Sequence, residues 1–336
     1  TNKIIIDSNG LNYQGNADTY TVEYTTDGQS LNIVYSDATK GWLPLEDDVV
    51  ADVPVAPKTQ KGIFAYGSGV TNISSLVSST GVHGSDVTGV GTARQQIMGT
   101  NYGGDKAIFA FGTNGTNQNM RNLVSNTGVV AADATGAGTA HSQGAACGYG
   151  SDTAIIGYGN DGSYISYSNL VSNTGVVSAD VTGVGTARGV LAATKYGGDK
   201  GIFVNGYGAG VARTGVSNLV SNTGVIASDT AAVATGRTGA AGCQYGEDTA
   251  IIGYGDPGGS NKISNTGVVA SDVAQVGTTR EGTAATSFGG DKGIFMGGSG
   301  RGDSNIVSNT GVFQTDVSAT GSTRTNHAGA NYSFSA

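Results

Sequence analysis

Residues 144–180 read GAACGYGSDTAIIGYGNDGSYISYSNLVSNTGVVSAD. A run of small residues ends on Tyr149, and a Gly-Ser-Asp turn leads into an apolar run centred on Ile155-Ile156. A polar loop with Asn160, Asp161, Tyr164 and Tyr167 follows, then Asn169-Leu170-Val171, a Ser-Asn-Thr-Gly turn and a last short run ending at Asp180. Short apolar runs bounded by Gly, Asn, Asp and Ser clusters predict strands joined by turns. The stretch therefore reads as four short strands in series.

The same unit occurs six times. Its apolar pair stands at Ile63-Phe64, Ile108-Phe109, Ile155-Ile156, Ile202-Phe203, Ile251-Ile252 and Ile294-Phe295, with spacings of 45, 47, 47, 49 and 43 residues. A Thr-Gly step begins at Thr80, Thr127, Thr174, Thr223, Thr266 and Thr310, with Asp six residues later, Arg or His fourteen later and Tyr or Phe twenty-two later, without exception. All length variation lies between the apolar pair and the Thr, so a rigid frame alternates with one variable loop. Four strands per 43 to 49 residues is the dimension of a propeller blade, whereas the coils of a parallel β-helix are much shorter.

Composition narrows the class further. The 336 residues include 58 glycines without a G-X-Y period and only four prolines, which excludes collagen. The chain is 38% apolar in recurring runs, which argues against low-complexity disorder. No apolar stretch approaches the length of a membrane-spanning helix, and a net charge of −8 without a basic stripe disfavours nucleic acid and anionic membranes as partners.

The order DKAIFAFG, SNTGVVAAD, then Arg or His and a small-residue strand resembles the kelch family of β-propellers over residues 61–336, although the repeats mostly carry a single Gly and no Trp. The resemblance implies an all-β, six-bladed propeller. The array opens on a second strand, KGIFAYG at 61–67, and closes on a first strand in NHAGANYSFSA, so the C-terminal strand is expected to complete the N-terminal blade and hide both sheet edges. Residues 1–48 alternate as strands do in KIIID, YTVEYTT and SLNIVYSD, and read as a small β-rich attachment or oligomerisation module. Residues 49–60, with Pro54 and Pro57, read as a linker.

Chemistry-bearing residues are sparse. Cys147 and Cys243 occupy one repeat position two units apart and read as small core residues, and His83, His141 and His327 lack ligand spacing, so neither a metal centre nor a cofactor is expected. The Asp series recurs once per unit as turn-capping residues do, which argues against a catalytic pair and against an enzyme. Arg94, His141, Arg188, Arg237, Arg280 and Arg324 open the first strands, and are expected either to tie neighbouring blades together or to form a basic rim that attracts anions. The variable loops place Asn114, Asn117, Arg121, Tyr164, Tyr167, Tyr207 and Arg213 on the same face, where exposed tyrosines and amides suit sugar rings and hydroxyls. Arg301-Gly302-Asp303 matches an integrin-type tripeptide, a match common by chance in such loops.

The near-identity of LVSNTGVV between repeats points to recent duplication, and the YGGDKAIF and SNTGVV phrases resemble virion structural and fibre proteins of tailed bacteriophages. That resemblance implies a propeller presented on the particle surface by residues 1–60, in several copies. Two functions are then expected: a host-surface adhesin whose loops bind a glycan, or a non-enzymatic virion protein whose ring packs against other virion subunits.

Overall fold

A computed structural model describes residues 3–19, 21–25, 30–45, 59–208, 210, 213–318 and 320–333. The chain divides into two compact units, Thr1–Pro57 and Lys58–Ala336. Among the described residues every element is a β-strand, and every ladder between strands is antiparallel. The expected linker at 49–60 lies outside the described residues apart from Thr59 and Gln60.

In the first unit Ile4–Ile6 pairs with Val22–Tyr24, and Ile33–Asp37 with Gly41–Pro44. Tyr13, Val22 and Tyr24 form a small buried cluster backed by Trp42, and the two tyrosine hydroxyls lie 2.7 Å apart. Both rings thus bury their apolar bodies while their polar tips satisfy one another.

Among the described residues the second unit contains six sheets of three or four strands, one per repeat, and a two-stranded ladder of Arg188–Gly189 with Tyr207–Gly208. The third is representative, with strands Ala145–Tyr149, Thr153–Asn160 and Tyr164–Val171 in series. The first sheet is assembled from both ends of the array, because Ala328–Tyr332 pairs with Lys61–Gly67 in the register Ala330↔Ile63. In every repeat the apolar pair sits on the middle strand and is fully buried; Ile155 and Ile156 each expose 0% of their surface. Successive side chains on a strand point to opposite faces, so both faces of the sheet are covered. Each buried cluster accordingly draws on two adjacent sheets, as Ile63 and Ala65 do with Ala107 and Phe109.

The expected fourth strand is a ladder in only two sheets, at His83–Val87 and Ala134–Thr135. In the others it shrinks to a pair of bridges, such as Val171↔Val177 and Ser168↔Val181. Between those bridges the Asn169 amide donates to the Ser178 carbonyl, so a side chain takes an acceptor that a regular ladder would use.

Two cycles of backbone hydrogen bonds link the sheets. At one end Gln143, Val190, Gly239, Gly282, Asn326 and Gln96 each donate N–H to the carbonyl of the preceding member, at 2.7–3.1 Å, and the sixth bond returns to the start. All six residues have positive φ, between 52° and 67°. At the other end Gly103 donates to Asp152, Gly150 to Asp199, Gly197 to Asp248, Gly246 to Asp291, Gly289 to Gln60 and Ser333 to Asp105. Gln60 and Ser333, near opposite ends of the repeat array, together supply the turn that a continuous hairpin supplies elsewhere.

Aromatic rings interlock the same sheets. Tyr149 lies against Gly224 of the next repeat, where a Cβ would stand 2.7 Å from the ring, and the equivalent contacts run from Tyr102 to Gly175, Tyr196 to Gly267, Tyr245 to Gly311, Phe288 to Gly81 and Tyr332 to Gly128. Gly224 has φ +80°, so the Thr-Gly step needs glycine both for its backbone and for the ring above it.

Candidate binding face

The basic residue that precedes each first strand is enclosed between two sheets. Arg94, Arg188, Arg237, Arg280 and Arg324 expose no more than 1% of their surface, and His141 exposes 1%. Arg188 Nε donates to the Asn205 carbonyl at 2.8 Å, Nη1 to the Thr186 carbonyl at 3.0 Å and Nη2 to Asn218 Oδ1 at 2.8 Å. Its guanidinium also lies 4.2 Å from the centroid of the Tyr158 ring. Asn218 in turn donates to Asp229, whose other oxygen accepts from the Thr186 N–H and hydroxyl. The bracket therefore runs Arg, Asn, Asp and Thr, and joins one sheet to the next.

Variants of this bracket recur in all six gaps, with Ser322 in the Thr place and Asp86 receiving Arg324 directly. These residues correct the expectation of a basic rim. Buried guanidiniums already engaged with amides, carbonyls and carboxylates offer no anion-attracting surface, and they act as ties between sheets. His141 takes the place of the arginine in the gap between the second and third sheets, where its ring stacks 4.0 Å from Phe111 and donates from Nδ1 to the Thr139 carbonyl. There the Asn169 Oδ1, whose counterpart in four other gaps accepts from an arginine, is left without a donor.

The bracket carboxyls carry a pH dependence. Burial alone would raise Asp86, Asp133, Asp180, Asp229, Asp272 and Asp316, but donors from Thr, Ser, Asn and the nearby cation outweigh it and hold all six below the usual carboxylate range. Burial also lowers His83, His141 and His327, the last to about 3. A depressed folded pKa contributes stability that is complete above the unfolded value and is lost as pH falls towards the folded one. Thermal unfolding midpoints are thus expected to begin falling below about pH 6.5 through the histidines and to steepen below about pH 4 through the aspartates. A melting series from pH 8 to 3 checks this, and a midpoint independent of pH below 6 would contradict it.

The variable loops lie at the same end as the positive-φ cycle. Tyr207, 42% exposed, and the half-buried Tyr164 are brought together with ring centroids 5.8 Å apart, on either side of Gly189. Tyr167 is also half-buried, packs edge-on to His141 at 5.6 Å and donates to Asp161 at 3.3 Å. The expectation of three exposed tyrosines is thereby corrected to one exposed ring, because the loop of the third repeat folds as a β-hairpin that covers the others. Arg213 pairs with Asp256, and Arg121 donates to the Thr135 carbonyl. Asn117 reaches across to the Asn160 carbonyl at 2.9 Å, while Asn114 stays exposed and accepts from Gln118. The structure therefore joins Tyr164 to Tyr207 and leaves Asn114 and Arg213 as separate exposed groups.

Other sequence candidates fall inside the scaffold. Arg301 and Asp303 sit on a strand and pair with one another, which removes the tripeptide from any loop. Cys147 and Cys243 are buried and free, and burial pushes the Cys147 thiol up to about 12. The bracket asparagines were not singled out from the sequence, although Asn122, Asn169, Asn218, Asn261 and Asn305 all stand five residues before the repeat Thr. That fixed offset is the signal that identifies them.

The six first strands line a channel of about 140 Å³, opening at the turn end into a cavity of about 560 Å³. No family model matches the chain, and no curated protein matches it in sequence.

Proposed function

We propose that Lys58–Ala336 is a six-bladed kelch-like β-propeller and that the protein is a bacteriophage virion appendage, a tail or head fibre protein that binds a host-surface glycan through the loop end. What supports the propeller is the pair of hydrogen-bond cycles, each of which returns to its start after six repeats. The single observation behind the binding role is the Tyr164–Tyr207 pair beside Gly189, an aromatic platform in the longest loops of an otherwise uniform scaffold. A ring face of this kind stacks on the C–H face of a sugar, and neighbouring amides such as Asn114 bond its hydroxyls. In this reading residues 1–60 attach the chain to other virion proteins in multiple copies, so that avidity raises modest single-site affinity. The protein is non-enzymatic, without a cofactor, and stands on the outer surface of the particle.

The test is binding of the multimerised full chain to intact candidate host cells. Tyr207→Ala is expected to reduce it by at least about tenfold without changing the melting midpoint. Equal binding by the variant would overturn the platform. A second reading, a virion protein that packs against its neighbours, is favoured by six equivalent valines, Val82, Val129, Val176, Val225, Val268 and Val312, each 55–66% exposed at the turn end. It predicts no cell binding by either form, with incorporation into particles lost when these valines are made polar.

A further inference from the structure

The geometry points to a second binding site, independent of the loops, in which the cavity at the turn end of the channel holds a neutral, hydroxyl-rich ligand the size of one hexose. Of the positions that each first strand contributes to the channel, two lie towards its turn end. The inner one is Gly99, Ala146, Ala193, Gly242, Ala285 or Gly329, always small, as the crowded axis demands. Two residues further along, at the mouth, stand Asn101, Gly148, Lys195, Gln244, Ser287 and Asn331. The channel therefore changes from a narrow, small-residue throat to a polar cup of about 560 Å³, within the range of small-molecule sites.

The polar groups of the cup are unspent. The side chains of Asn101, Lys195, Gln244 and Asn331 make no hydrogen bond or ion pair with any described residue. The lysines just outside behave differently, since Lys106, Lys200 and Lys292 pair with Asp105, Asp199 and Asp291 at 2.7–2.9 Å. Gly148 leaves space for this arrangement. A Cβ there would stand 3.2 Å from Asn101 Oδ1 and 3.4 Å from Lys195 Cδ.

Charge and hydrogen-bonding capacity decide the ligand class. One ammonium and three carboxamides offer several donors and three acceptors, and carboxamides both give and receive as sugar hydroxyls do. An anion is disfavoured, because Lys195 is the one cationic side chain among the described residues lining the cavity, beside the carboxylates Asp105 and Glu247.

Titration of the full chain with D-glucose, D-galactose and N-acetyl-D-glucosamine, followed by calorimetry or ligand-observed NMR, tests the site. At least one is expected to bind saturably, and the double variant Gln244→Ala, Asn331→Ala to weaken it by at least about tenfold at an unchanged melting midpoint. Tyr207→Ala should leave this binding intact, which separates it from the loop platform. The proposal is overturned if none of the three sugars saturates, if the double variant binds as tightly as the natural chain, or if acetate or sulfate competes for the same site.

Discussion

Deleting residues 328–336 is expected to abolish cooperative folding of the repeat unit, not merely to trim its edge. The lost strand, Ala328–Tyr332, contributes a five-residue ladder to Lys61–Gly67. It also carries Ala328, Ala330 and Tyr332, all at least 94% buried, and places the Tyr332 ring against Gly128. At about 1 kcal/mol net per ladder hydrogen bond and 2–3 kcal/mol for the buried tyrosine, the loss comes to roughly 5–8 kcal/mol. That is comparable to the whole stability of an ordinary domain. The deletion also exposes the apolar strand Ile63–Ala65 as an unpaired edge, which favours aggregation. Size-exclusion chromatography and thermal melting should show aggregated material without a sharp transition, partly rescued by a peptide of residues 324–336 added in trans. A truncated chain that melts cooperatively within a few degrees of the intact one would show that the two ends do not depend on each other.

Arg188→Ala is the second large effect, expected to destabilise the unit by about 3 kcal/mol and to lower its melting midpoint by roughly 6–10 °C. Arg188 is the natural choice, because all three of its nitrogens are bonded, whereas Nε of Arg94, Arg237, Arg280 and Arg324 has no acceptor. Removing it strands the Asn205 and Thr186 carbonyls and Asn218 Oδ1 in a buried gap and takes the cation off the Tyr158 ring. Arg188→Lys should be nearly as harmful, since a single ammonium cannot span three acceptors in a fixed fork. His141→Arg is expected to be neutral or stabilising, because it supplies the donor that Asn169 Oδ1 lacks. Wild-type stability in Arg188→Ala would mean that the bracket is not a tie between sheets.

The parts of this architecture legible in the sequence are those that repeat without exception. The offsets from Thr to Asp, basic residue and aromatic ring are invariant because each residue touches an equivalent residue of the next repeat, and a shift of one would break a contact in every gap. The strand completed by both chain ends was legible for the same reason: the array is cut after a first strand and before a second. Side-chain exposure was not legible. Tyr164 and Tyr167 sit in a loop by composition, yet the hairpin Thr153–Val171 half-buries them, and no local pattern distinguishes them from Tyr207. The basic series looked equally suited to a surface rim or a buried tie. What decides between them is the Asn that five of the six repeats carry on the adjacent sheet, whose role depends on a contact 24 to 30 residues away in the chain.

The central claim is that six repeats close into one ring through the pairing of residues 61–67 with 328–332. Amide hydrogen exchange on the intact chain tests it without perturbing the molecule. The account predicts that amides in 61–67 and 328–332 are protected as strongly as those of the interior hairpin 145–157, because no sheet in the ring is an end. Exchange in those two segments that is faster by orders of magnitude, with the other five sheets protected, would contradict closure and leave an open array.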